Sequence, residues 1–218
     1  TEGKNSFRHY LSGSIRAYSV LSTGHTAAYP KWGIGAEIGA STNLESHRIL
    51  SPMGYAYLYG YVPGITKEQG LKLSVMHQQK LDRQAIFSQS IVQTLPRGLA
   101  SDGALSSYIS IYNPSITKVS ADYAIPIYIG DISILKGLFY IKRLCLTPHA
   151  DYMRAGKTDL LSVGSALTID MSGVLWVEWP LSVGVTYSYS GLADYNLVKS
   201  QTGLDMNPHH VGAVFNIS

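Results

Sequence analysis

Charge is what this sequence lacks most. Asp, Glu, Lys and Arg together make up 14% of its 218 residues, against about 25% in an average soluble domain. So small a charged fraction excludes a self-repelling, disordered chain. Cysteine is nearly absent. Cys145 stands alone, so no internal disulfide and no thiolate cluster for a metal can form. No stretch approaches the roughly 18 uninterrupted apolar residues of a membrane helix. No Lys/Arg stripe tracks a phosphate backbone, despite a net charge of +3, so nucleic acid is not an expected partner. Glycine (21), tyrosine (16) and many Ser and Thr residues fill the place of the missing charges. That mixture is unusual in a soluble core. It is ordinary in a membrane β-barrel, apolar outside and mildly polar inside.

The pattern that is present has period two. Between Trp179 and Ser190 the odd positions are Trp179, Leu181, Val183, Val185, Tyr187 and Tyr189, and the even ones are Pro180, Ser182, Gly184, Thr186, Ser188 and Ser190. Strict alternation of this kind makes a strand with one apolar face, and its length suits a tilted crossing of a bilayer. The same alternation recurs at Leu161–Met171, Val211–Ile217, Val119–Ile129, Trp32–Ala40 and near Phe7–Val20, and less cleanly at Leu71–Val75. Tyr55, Tyr57, Tyr59 and Tyr61 form an aromatic row after Met53. Two further strands are less regular. Ala85–Leu95 alternates poorly, and Leu135–Tyr152 loses phase around Lys142-Arg143, which predicts a bulge there.

The expected fold is therefore all-β: an antiparallel up-and-down transmembrane β-barrel of about ten strands, one domain over residues 1–218. Connections at Thr42–Leu50, Lys80–Gln84, Gly130–Ser133 and Asp170–Gly173 read as the shorter set. Leu21–Ala28, Val62–Gln69, Pro96–Ser115, Met153–Thr158 and Gly191–Pro208 read as longer loops at the opposite end. Short turns in the periplasm and long loops outside are the habit of bacterial outer-membrane barrels, and they place the C-terminus in the periplasm. The physical argument is backbone satisfaction: in lipid, strands span only as a closed barrel. A soluble β-protein shows similar alternation, but its solvent face should carry Lys, Glu, Arg and Asp. Here that face is Ser, Gly, Thr and Ala. Outer-membrane lipid is the expected partner, together with other outer-membrane or periplasmic proteins. A lipid-facing aromatic row is expected from Tyr55, Tyr57, Tyr59, Tyr61, Trp179, Tyr187 and Tyr189. A sugar-binding stripe or a protein interface is the other reading of the tyrosine run.

Pro96-Arg97-Gly98-Leu99 opens the longest loop, with five expected strands after it. This arrangement resembles the outer-membrane assembly and two-partner secretion barrels, the BamA/FhaC-like superfamily. Lys118-Val119-Ser120-Ala121-Asp122-Tyr123-Ala124-Ile125-Pro126-Ile127 is similar to the strand that follows the Arg-Gly loop there, and Gly137-Leu138-Phe139-Tyr140 to the start of the next. The resemblance covers roughly Lys80–Ser218. It implies a role in assembly, secretion or transport, and membership of a larger barrel of which this chain carries the C-terminal part. It also implies a loop folded into the lumen with its arginine on acidic residues of the wall. Leu99 stands where the family has an aromatic, and Lys142-Arg143 stand near the place of an expected acid. On the expected lumen faces, Asp122 and Glu178 are the carboxylates that Arg97 would reach in a bidentate pair. The plainer alternative leaves Arg97 solvated on the loop.

The same residues admit other chemistry. The long loops or the barrel wall make a membrane-anchored binding module the second reading. Some outer-membrane barrels are lipid- or peptide-cleaving hydrolases, and His149 and Asp151 share a strand face. Sequence separation alone assigns them no catalytic role, so the expectation is no enzyme, no cofactor and no catalytic residue. His209-His210 point to opposite faces of one strand and cannot chelate together. No H-E-x-x-H spacing occurs, and no metal site is expected.

Overall fold

The computed structural model describes residues 9–21, 27–45, 48–81, 95–99, 103–134, 139–174 and 181–217. Nine strands among them form one antiparallel sheet in simple up-and-down order, β1 to β9. They are β1 (His9–Leu21), β2 (Trp32–Glu45), β3 (Arg48–Pro63), β4 (Gly70–Lys80), β5 (Ser115–Ile134), β6 (Phe139–Ala155), β7 (Thr158–Val174), β8 (Leu181–Ala193) and β9 (His209–Ile217). The strand expected over Ala85–Leu95 falls almost wholly outside the described residues. β4 pairs directly with β5, Lys72 opposite Asp122. The bulge expected near Lys142-Arg143 is present: the β6–β7 register shifts between Ile141 and Arg143.

Period two divides the sheet into two faces. On the outer face, apolar side chains stand exposed strand after strand: Ile15 (73%), Ile38 (59%), Leu58, Val75, Val119, Leu167, Val185 (57%) and Val211 (80%). On the inner face, Glu37, Lys118, Asp151, Ser162, Ser188 and Ser190 are buried. A soluble sheet buries its apolar face and wets its polar one, whereas here the outer apolar face stands exposed and the inner face buries charged and hydroxyl side chains beside apolar ones such as Met76 and Met153.

The tyrosine row needs correction. Residues directly opposite in a ladder share a face, and Tyr57 lies opposite buried Glu37. Tyr55, Tyr57, Tyr59 and Tyr61 are therefore on the inner face, away from the exposed apolar side chains. Tyr55 donates its hydroxyl hydrogen to Glu37 Oε1 at 2.7 Å, and Arg16 Nε donates to Oε2 at 2.6 Å. The rings fold over the small residues of β2. A Cβ on Gly35 would come within 2.2 Å of the Tyr59 ring, which explains why glycines alternate opposite tyrosines. Tyr187 stands exposed on the outer face and Tyr189 shares that face. Trp179 lies outside the described residues.

Two expected loops contain helices. α1 (Gly103–Tyr112) lies between β4 and β5, and α2 (Tyr195–Thr202) between β8 and β9. Leu105 and Ile109 at i, i+4, and Tyr195 and Val198 at i, i+3, face one cluster. There they meet Ile116, Met153, Ala155 and Leu160 from β5, β6 and β7, with Leu95, Leu99 and Met206. This core caps one end of the inner face. The expected loop Met153–Thr158 is instead a tight turn, with Ala155 paired to Thr158 and Gly156 at φ +60°. Short and long connections are not sorted to opposite ends either. Direct pairing of β4 with β5 puts the α1 and α2 connections at the same end as this tight turn and the short β2–β3 link.

Candidate functional site

Below the helical cap, β5 presents Lys118 and Asp122 inward, β6 presents His149 and Asp151, β7 Ser162, and β8 Ser188 and Ser190. The registers run Ser120–Asp151–Ser162 and Asp122–His149–Gly164–Ser188–His210 across five strands. The segment 95–99 dips onto this surface. Leu95 and Leu99 sit in the apolar core on either side of Arg97 and aim it at the wall. Gly98 adopts φ +91°, a conformation open to glycine but not to most residues. A Cβ there would also stand 2.7 Å from Cδ2 of His210. These two constraints account for the Arg-Gly pair.

Arg97 forks onto Asp151. Its Nε donates to Oδ2 and its Nη2 to Oδ1, both at 2.8 Å, and its backbone N–H donates to Oδ2 at 2.9 Å. Nη1 is ion-paired with Asp122. Ser162 Oγ donates to the Arg97 carbonyl at 2.7 Å, and Lys118 Nζ donates to the Leu95 carbonyl at 2.9 Å while lying 4.0 Å from Asp151. Asp151 is fully buried, whereas the Arg97 side chain is 31% exposed. Burial lowers the guanidinium's pKa, and the Asp151 and Asp122 carboxylates outweigh it, so the net shift is upward. Two cations and two carboxylates balance, and such a fork is both strong and directional.

Of the residues singled out in the sequence, Arg97 and Asp122 are brought together. Glu178 lies outside the described residues. Asp151, which shares a strand face with His149 in the sequence, is the residue that spacing alone does not assign to Arg97. Its signal was present, because beyond the bulge His149, Asp151 and Met153 alternate with Ala150 and Tyr152. With both oxygens of Asp151 on Arg97, the carboxylate does not orient the imidazole. His149 Nε2 meets Ser188 Oγ at 3.0 Å, and its Nδ1 has no hydrogen-bond partner among the described residues. His210 turns inward to Ser190 Oγ at 3.2 Å and His209 outward to the Tyr187 hydroxyl at 2.8 Å. Among the described residues no group of three His, Cys, Asp or Glu side chains is placed to hold a metal ion.

The chain is thus an all-β protein built on one up-and-down antiparallel sheet, with a loop clamped to its polar face. No protein-family model, curated protein or solved structure matches it.

Proposed function

We propose that this chain is wall and inner loop of an integral outer-membrane β-barrel with a structural, transport or assembly/secretion role. The observation that carries the reading is the apolar outer face, exposed on strand after strand, over an inner face that holds the charges. In water such a face is a large association liability, and in lipid it is the required surface. The Arg97 fork supports the same reading, because it folds a loop onto the face that would line the lumen.

Strand direction bears on the size of the barrel. In an up-and-down sheet of nine strands the two edges, β1 and β9, run the same way. Among the described residues, antiparallel closure therefore takes an odd number of further strands. The binding-module reading has less support. α1 and α2 turn Leu105, Ile109, Tyr195 and Val198 into the inner core, and among their described large apolar side chains Tyr112 and Leu197 remain exposed.

Gel mobility of the detergent-extracted protein in SDS, with and without boiling, tests the proposal. A compact species that shifts on heating is expected of a kinetically stable barrel. Protein recovered from the soluble fraction with a single unshifted band would contradict it.

A further inference from the structure

The Arg97 fork leaves His149 and Ser188 without a role. They lie two strands apart, on β6 and β8, with Gly164 of β7 between them in the ladder. A Cβ on Gly164 would stand 2.8 Å from His149 Nε2, so glycine there is what lets the imidazole reach across to β8. Nε2 meets Ser188 Oγ at 3.0 Å. Both residues are buried, and Nδ1 of His149 has no hydrogen-bond partner among the described residues. Ser188 nevertheless lines a cavity of about 580 Å³ beside the Arg97 loop, together with Arg97, Thr186, Asn207 and His210.

A serine becomes a nucleophile when an imidazole within hydrogen-bond reach takes its proton. Buried polar atoms without partners are rare, and catalytic positions are among the places where they are found. With the ring proton on Nδ1, Nε2 is the acceptor that Ser188 needs. Asp122 stands directly opposite His149 on the same face, so the imidazolium that forms has a carboxylate beside it. Arg97 supplies the donors for a developing oxyanion. Three of its five side-chain N–H groups go to Asp151 and Asp122. The other two have no partner among the described residues, on a side chain that is part-exposed and lines the cavity.

We propose that Ser188 and His149 form a hydrolytic dyad on this cavity, cleaving small polar carboxylic esters whose carbonyl oxygen takes a hydrogen bond from Arg97. Ser188 Oγ bonds to the carbonyl carbon while its proton passes to His149 Nε2, and the carbonyl electron pair moves onto the oxygen facing Arg97. Collapse breaks the bond to the alkoxy oxygen, which leaves as the alcohol with the proton from Nε2. Water then attacks the acyl-serine, giving its proton to Nε2. The carboxylic acid departs and Ser188 recovers its proton. Ester and water are consumed, acid and alcohol are formed, and no other reactant is needed. The dyad does not depend on whether the outer face meets lipid.

Two probes test it on the folded full chain in detergent: a fluorophosphonate, which phosphonylates activated serines, and p-nitrophenyl acetate. The fluorophosphonate should mark the peptide that carries Ser188, and the acetate should be cleaved faster than in buffer with detergent alone. Ser188→Ala should abolish the label, and His149→Gln should slow cleavage at least about 100-fold. Ser190 is the useful contrast, since it too meets an imidazole, that of His210; Ser190→Ala should cleave at the parent rate. Urea midpoints of the variants separate lost chemistry from a lost fold. The parent suffices to overturn the proposal if it takes no label and cleaves no faster than buffer. Label on Ser190 in place of Ser188, or undiminished cleavage in folded His149→Gln, would overturn it as well. Cleavage that needs both residues in a protein showing no heat shift in SDS would uphold the dyad and remove the membrane reading instead.

Discussion

Asp151 is the residue on which the Arg97 loop depends. Its carboxylate is fully buried, and Arg97 supplies three of its hydrogen bonds. Arg97→Ala leaves that charge with Lys118 at 4.0 Å as its nearest cation, and stability should fall by about 3–5 kcal/mol. Arg97→Lys keeps the charge but not the planar fork and should recover less than half of that loss. Urea unfolding in detergent measures both, and chymotrypsin cleavage near Leu99 should quicken in parallel. If Arg97→Ala unfolds like the parent and its loop is cut no faster, the latch does not exist. Asp122 was legible because a regular strand fixes its face. Asp151 was harder to assign, because β6 carries a bulge and the nearby His149 offered another partner. The tyrosines of β3 were assigned to the wrong face for a different reason. Alternation separates two faces without saying which is outward, and tyrosine, apolar with a polar tip, suits either. Only the register of Tyr57 against Glu37 decides it.

At the scale of the elements, the strands were legible and the helices were not. Strands announce themselves by period two over many residues, and every described strand except β6, whose phase the bulge breaks, coincides with an alternating segment. α1 has only Leu105, Tyr108, Ile109 and Tyr112 at helical spacing among serines, within what looked like a loop. The length of the chain between β4 and β5 hid its purpose, which is to carry an apolar cap onto the inner face. Leu105 is fully buried in that cap, and Leu105→Ala should cost about 2–5 kcal/mol in the same unfolding measurement. A loss near zero would mean that the helix does not pack there. The β2–β3 interlock gives a second test. Gly35→Ala drives a methyl into the Tyr59 ring and should cost about 1–3 kcal/mol. In Gly35→Ala/Tyr59→Ala the clash is gone, so the double variant should lose less than the two single losses added together. Additive losses would contradict the ring's position over Gly35.

For the whole molecule, the decisive feature is a sheet whose exposed face is apolar and whose covered face holds the buried charges. The sparse charge and alternating strands make that arrangement legible in the sequence. The distribution of loops was not visible, since it depends on β4 pairing directly with β5. The proposed lipid contact makes a directional prediction for substitutions. Val185→Lys on the outer face should cost about 2–4 kcal/mol if the residue sits near the bilayer midplane, whereas in a water-exposed sheet it should be close to neutral. Refolding yield into vesicles and urea midpoints report the difference. The most direct measurement is a cysteine scan along β8 in a Cys145→Ala background, each site carrying an environment-sensitive fluorophore, with the protein in vesicles of brominated lipid. Val183, Val185 and Tyr187 should be strongly quenched, and Ser182, Gly184 and Thr186 protected. Equal exposure of both sets to aqueous quencher, with no effect of the brominated chains, would contradict the account.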